Sequence, residues 1–430
     1  MREMKDSGIE WIGIIPSDWK ISRIKYVATF INGDRGANYP SGSDLVDEGI
    51  IFLTSNNIHG TMLDCCSEIS KYITTDRYSI LGGAKIALGD IIYCLRGSVG
   101  NCAINKKATE GTVASSLVDI RPTKIHPEYL NYILQSPINS VQTLGYMNGS
   151  CAANLSAENV ANYYFIEPPV TKQRIISAFL DSKCSEIDSI ISDIQSQIEA
   201  LEEYKRSVIT EAVTKGLDPD VEMRDSGIAW VGDIPAHWIT HPLYFYFGER
   251  KNKNALGLET NLLSLSYGKI IRKDINSNGG LLPESFNTYN IIEKDDIIIR
   301  PTDLQNDKRS LRTGIAREHG IITSAYIAMK AIKTVNPEYF HYLLHAYDVM
   351  KVFYNMGNGV RQGLNFSEFS RLMVFEPAIE EQNAIVSYLK EKCDEIDLAI
   401  AEKKQQIETI EEYKKSLIFE YVTGKKEVIV

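Results

Sequence analysis

The sequence predicts an α+β protein in which two mixed α/β domains are separated by two long antiparallel coiled-coil helices, the whole forming a pseudo-twofold internal repeat. Three observations predict it. The chain repeats itself in two places, the second repeated tract carries a heptad pattern, and the tracts between alternate short apolar runs with polar turns.

The first repeat is Lys5 to Trp19, KDSGIEWIGIIPSDW, which recurs 219 residues later as RDSGIAWVGDIPAHW from Arg224 to Trp238. The second runs from Pro168 to Thr214 and recurs 209 residues on, from Pro377 to Thr423. It keeps Gln173 as Gln382, Cys184 as Cys393, and Glu186-Ile187-Asp188 as Glu395-Ile396-Asp397. Between these anchors the halves diverge, sharing only fragments such as Asp90-Ile91-Ile92 with Asp296-Ile297-Ile298, and HPEYLNYIL (126–134) with NPEYFHYLL (336–344). The boundaries that follow are a domain over 1–167, a helix over 168–218, a domain over 219–376 and a helix over 377–430. A duplication that holds its frame while two long tracts diverge suggests one scaffold presenting two different reading heads.

In the first helical tract Cys184, Ile191 and Ile198 fall at a positions, and Leu180, Ile187, Ile194, Leu201 and Val208 at d. In the second, Cys393, Ile400 and Ile407 fall at a, and Leu389, Ile396, Ile410 and Leu417 at d, with Lys403 at one d site. Alternating steps of three and four make a coiled-coil seam. Lys205 and Lys414 share one a position, where a lysine either fixes register or lies on a solvated helix end. At ~1.5 Å per residue, about 40 residues give each helix ~60 Å. The two are expected to pair with each other, a helix of a second chain being the alternative.

The diverging tracts read as strands and loops. Apolar runs at 49–54, 90–95, 260–265 and 296–300 are bounded by Gly, Asp and Asn, as strands are. The tracts 32–42 and 300–314 are too polar for a core.

Composition bounds the function. A chain of 430 residues with 44% apolar and 24% charged residues is globular. No run approaches 18 apolar residues and the first residues lack an apolar leader, so a cytoplasmic protein without a membrane partner is expected. Seven cysteines without a C-x-x-C spacing read as reduced thiols. The net charge of -10 argues at first sight against nucleic acid. However, residues 168–218 carry 9 acids against 6 bases and 377–430 carry 12 against 8, so most of the excess lies in the helical tracts.

Taken together, these residues resemble the specificity subunit of type I restriction-modification systems. The resemblance covers nearly the whole chain. It rests on G-x-I-P-x-x-W at Gly13 to Trp19 and Gly232 to Trp238, on GDIIYCLRGSVGNCAI (89–104), and on the proline followed by glutamine that opens each helical tract at Pro168 and Pro377. It implies two target recognition domains, 1–167 and 219–376, reading a bipartite double-stranded DNA target, one half-site each. It further implies that the spacer helices dock two methyltransferase subunits and the restriction/translocase subunits of a phage-defence complex, and that the coil sets the gap between half-sites. S-adenosylmethionine, ATP and Mg are then expected on those partners, with no cofactor in this chain.

Catalytic motifs are missing from the sequence. Adenine-N6 methylation uses an Asp/Asn-Pro-Pro-aromatic run around a flipped base; the nearest string, Glu167-Pro168-Pro169-Val170, opens a helix instead. No G-x-x-x-x-G-K-[ST] loop occurs. Gly357 to Gly363 reads as a turn. His341 and His345 share an i, i+4 face without two further zinc ligands, and a solvated helix face is the preferred reading. His237 and His241 read the same way. The chain is therefore expected to be non-catalytic and metal-free, against the alternatives of a self-sufficient methyltransferase or nuclease with disguised motifs and of a scaffold that binds only protein.

Base reading calls for Arg, Lys, Asn, Gln, Ser or Thr on loops held by a rigid sheet. The candidates are Thr54, Ser55, Asn56, Asn57, Arg96, Ser98 and Asn148 in the first domain, and Ser266, Tyr267, Lys269, Arg300, Thr302, Arg361 and Gln362 in the second. Residues 250–273 add six basic groups against Glu259 alone, a candidate phosphate surface as a set, with a generic solvated surface the alternative for any single residue.

Overall fold

The structure is a computed structural model. It describes residues 2–429 apart from 59, 61, 67, 109, 148–153, 276–282, 284, 303–310 and 357–362. The chain forms two compact units: Met1–Ile194 with Lys404–Val430, and Gln195–Lys403.

In the first unit the central sheet has the order β1 (Ala28–Asn32), β7 (Leu117–Pro122), β4 (Ile91–Cys94), β5 (Cys102–Ile104), with every neighbour antiparallel. β4 reads Ile-Ile-Tyr-Cys and is buried throughout, because both faces of the sheet are covered. Ile91, Tyr93, Val118 and Ile120 join the core that holds Trp19, Tyr129 and Leu180. Ile92, Cys94 and Leu117 face a smaller core shared with β2 (Ile50–Leu53) and β6 (Gly111–Val113). β6 pairs parallel with β2, and β2 antiparallel with β3 (Lys71–Ile73).

The second unit repeats the central sheet in the order β8 (Phe247–Glu249), β13 (Ile327–Ala331), β11 (Ile297–Ile299), β12 (Thr313–Ile315). Its other strands differ. β9 (Leu263–Ser266) and β10 (Lys269–Arg272) form a two-stranded ribbon, and Asn290–Ile292 pairs with Gly320–Ile322.

Each unit contains one end of each long helix. α3 spans Val170–Lys215 and α5 spans Ile379–Val422. Within the first unit Phe179 packs against Tyr421 and Asp188 accepts from Lys414; within the second Gln197 accepts from Lys403 and Asp397 from Lys205, so in both units the segments run antiparallel. The apolar a and d side chains Leu180, Cys184, Ile187, Ile194, Ile198, Leu389, Cys393, Ile396, Ile400 and Leu417 are buried. Ile191, Leu201, Ile407 and Ile410 are half-buried.

The repeated residues outside the seam lock these helices to their units. Gln173 donates to the Pro168 carbonyl and accepts from the His126 amide, both at 2.9 Å, and Gln382 does the same with Pro377 and Asn336 at 2.9 and 2.8 Å. Tyr129 of α1 (Pro127–Gln135) donates to the Ile166 and Val422 carbonyls, and Tyr339 of α4 (Pro337–Val349) to those of Phe375 and Val213. Because Val422 ends α5 and Val213 lies near the end of α3, each tyrosine ties a helix end that would otherwise leave a carbonyl unsatisfied.

Candidate nucleic-acid interface

Both central sheets present their loops through the same turn. Asp90 Oδ2 accepts from the Ala87 amide at 2.7 Å and Asp296 Oδ2 from the Glu293 amide at 2.8 Å, with Gly89 and Asp295 at φ +87° and +70° inside the two turns. The buried carboxylates need cations, and the units supply them differently. Arg121 forks onto Asp90 at 2.7 to 3.2 Å and reaches Asp119 at 3.3 Å, whereas Arg250 donates to Asp296 at 3.0 Å. Asp119 is fully buried, and that burial, with Asp90 beside it, pushes its carboxyl well above the usual range. Its equivalent against β11 is Ala328.

Beyond β2, residues 54–57 form a capped 3-10 turn. Asn56 is exposed, and Thr54 and Ser55 are half-buried. Asn57 corrects the expectation that it faces outward. It is fully buried, its Oδ1 accepts from the Thr54 amide, and its Nδ2 donates to the Asp64 carbonyl and the Ser70 hydroxyl, so its polar atoms are spent on building the loop. Arg96 and Ser98 follow β4. Ser98 is exposed, and the half-buried Arg96 forms a backbone bridge with Asn154. Beneath this loop Tyr93, Asn139, Thr143 and Tyr163 form a buried hydroxyl and amide chain at 2.8 to 3.2 Å, and Asn139 Nδ2 holds the Gly100 carbonyl at 3.0 Å. The loop thus sits on a rigid base. Asn148 lies outside the described residues.

In the second unit Ser266, Tyr267 and Lys269 sit together at the tip of the β9–β10 ribbon. Tyr267 and Gly268 have φ +46° and +79°, the mirror-image two-residue turn that matches strand twist. Tyr267 is 77% exposed. Arg300 is half-buried and Thr302 exposed just beyond β11. Their loop is held by a residue that sequence reasoning missed: Arg312 is fully buried and donates to the Thr302 carbonyl, while its backbone carbonyl accepts from the Arg300 amide. Its setting in a polar run gave no signal of burial. Arg361 and Gln362 lie outside the described residues.

The basic run over 250–273 is partly neutralised. Arg250 is paired with Asp296, Lys251 with Glu249 and Arg272 with Glu318, and Lys253 donates to the Thr288 carbonyl. Lys269 and Lys273 are exposed.

The histidine pair on α4 is not on a solvated face. His341 and His345 are half-buried, and loss of solvent lowers them to about 3 and about 4, helped by His345 beside the former and Lys205 beside the latter. Among the described residues no cluster of three or more His, Cys, Asp or Glu could hold a metal ion, and no helix is long and apolar enough to cross a membrane.

Residues 16–200 match the family model of the type I restriction modification DNA specificity domain. The chain is 25% identical to a Methanocaldococcus jannaschii chain provisionally named the type I restriction enzyme MjaX specificity subunit, over 97% of this chain and 96% of that one. It is 23% identical to the type I restriction enzyme MjaVIII specificity subunit of the same organism, over 96% and 94%. Its fold matches a solved chain from work on complex assembly and conformational transition of the type I R-M system, with a TM-score of 0.66 and 15% identity over 96% of this chain and 99% of that one.

Proposed function

We propose that the chain is a specificity subunit of the type I restriction-modification kind, a non-catalytic member of a larger complex, and that each of its two units reads one half of a split DNA target. The observation that carries this reading is the pairing of sameness with difference. The two units share the order of the central sheet, the Asp turn, the glutamine clamp and the tyrosine tie, yet they differ in the strands and loops beyond. A frame kept constant under different loops is what two separate base readers on one scaffold require.

The heptad seam with its antiparallel segments supports a coiled coil, and the acidic outer faces of α3 and α5 suit protein rather than DNA. These helices are the proposed docking sites for two methyltransferase subunits, with the restriction/translocase subunits joining them. S-adenosylmethionine, ATP and Mg act on those partners, and the partners supply much of the phosphate neutralisation that a chain of net charge -10 lacks. The setting is the cytoplasm.

A labelled methyl donor tests the role. Incubated with mixed genomic DNA, the chain alone should transfer no label, and the complex co-expressed with its modification subunits should label adenine. Label transfer by the chain alone would establish the rival reading of a self-sufficient enzyme.

A further inference from the structure

Among the described residues, the β9–β10 ribbon is tied to a third strand only at its base, where Leu262 bridges Ile321, and a two-stranded ribbon is marginal unless one face is packed. Here one face is. Leu263 and Leu265 are buried and Ile270 packs beside them, over two glycines that leave room for nothing larger. A Cβ at Gly314 would stand 2.6 Å from Leu265 Cδ1, and one at Gly320 2.8 Å from Leu263 Cδ1. The opposite face is open and is set by the register Ser264↔Ile271 and Ser266↔Lys269. The hydroxyls of Ser264 and Ser266 and the Lys269 ammonium make no hydrogen bond to another described side chain or carbonyl. Ile271 is 42% exposed although apolar.

The tip adds a second observation. Tyr267 holds φ +46°, a conformation in which Asn, Asp or Gly is the ordinary choice and other residues are strained. Strain of this kind persists where the side chain serves something other than the local turn.

We propose that this ribbon is the element of the second unit that enters the major groove of DNA. The assignment rests on the DNA-reading role proposed above. The major groove admits a two-stranded ribbon, and the open face offers what base edges require: two hydroxyls that donate or accept, one cation for guanine O6 and N7, and an apolar side chain for a thymine methyl. Lys269 on that face and Lys273 just past its base complement the phosphate charge. Tyr267 forms the apolar tip. Among the described residues the first unit has no such ribbon: β2 runs into the capped turn at 54–57, so the two half-sites are read by different devices.

The test uses the full chain in complex with its modification subunits, in a host without other adenine methylation, with the methylated motif read by genome-wide sequencing. The variant Ser264→Ala/Ser266→Ala/Lys269→Ala should relax one or more positions of a single half-site, or lower its methylation by about tenfold or more, and leave the other half-site unchanged. Tyr267→Asn, which suits the turn, should keep or raise the melting temperature of the complex while lowering methylation by about tenfold. It carries the test if the triple variant does not assemble. Assembled variants that write the wild-type motif at the wild-type rate would overturn the assignment of the ribbon. A wild-type complex that writes no split motif would overturn the DNA-reading role itself.

Discussion

Lys205 Nζ on α3 donates to both carboxylate oxygens of Asp397 on α5, at 2.6 and 2.7 Å, and Lys414 on α5 donates to Asp188 on α3 at 2.6 Å. Lys205 and Lys414 are equivalent in the repeat, as are Asp188 and Asp397, so each helix is a donor in one unit and an acceptor in the other. Of the two readings open to an a-position lysine, the structure shows the interhelical one. The aspartates are about half exposed, so the pair acts more on register than on stability. Lys205→Glu should destabilise the chain and Lys205→Glu/Asp397→Lys should recover much of the loss, with a coupling of about 0.2–1 kcal/mol in a chemical-denaturation cycle. Strict additivity would count against the lock.

The two repeated tryptophans should respond differently to one substitution. Trp238 Nε1 donates to Glu381 Oε1 at 3.0 Å, whereas the equally buried Trp19 Nε1 has no partner among the described residues, since the residue equivalent to Glu381 is Lys172. Trp238→Phe removes a hydrogen bond to a charged group, leaving Glu381 with His237 at 2.9 Å, and Trp19→Phe removes an unpaired donor. The former should cost about 1–2 kcal/mol more by thermal or chemical unfolding.

Glycine substitutions separate conformational strain from collision. Gly232 has φ +74° with open space around its missing Cβ, and Gly232→Ala should cost about 1 kcal/mol. Gly424, just past the end of α5, has φ +72°, and a Cβ there would lie 2.6 Å from Pro16 Cγ and 2.8 Å from Trp19 Cζ3. Gly424→Ala should therefore cost about 2–4 kcal/mol, adding overpacking to the same strain. Equal losses in melting temperature would contradict the packing described.

Asp119 predicts a pH dependence confined to the first unit. Burial raises its folded pKa above the unfolded value of ~3.9, so the fold favours the protonated carboxyl. Its contribution is full at acid pH and is lost as pH rises from the ordinary carboxylate range through the raised value, by at most about 1.4 kcal/mol per pH unit. Asp119→Asn stays neutral and should gain on the wild type as pH climbs from 5 to 8 in matched melting curves. A constant difference across that range would refute the raised carboxyl of the buried Asp119.

Much of the frame was legible in the sequence because it repeats. Seam residues such as Leu180 and Cys393 announce themselves by period, and the 168–218 and 377–430 tracts by their heptads. Gln173 and Gln382 could be seen to recur, but not why, because their partners His126 and Asn336 lie far away in sequence. Local reading failed where tertiary contact overrides polarity. Asn57 looks like a base reader and is a buried loop brace, Arg312 sits in a polar run and is wholly enclosed, and His341 and His345 read as a solvated face. The ribbon was visible only as three candidates, Ser266, Tyr267 and Lys269, after a strand, since the pairing of Ser266 with Lys269 and the left-handed backbone at Tyr267 depend on the strand that follows.

The central claim is that two independent readers share one frame. Exchanging residues 239–376 for the matching block of a relative, co-expressing the chimera with the modification subunits and sequencing the host methylome tests it most directly. The account predicts a split motif in which one half-site is replaced by the relative's and the other is unchanged. A chimera that assembles and methylates with both half-sites altered, or with neither altered, would contradict it.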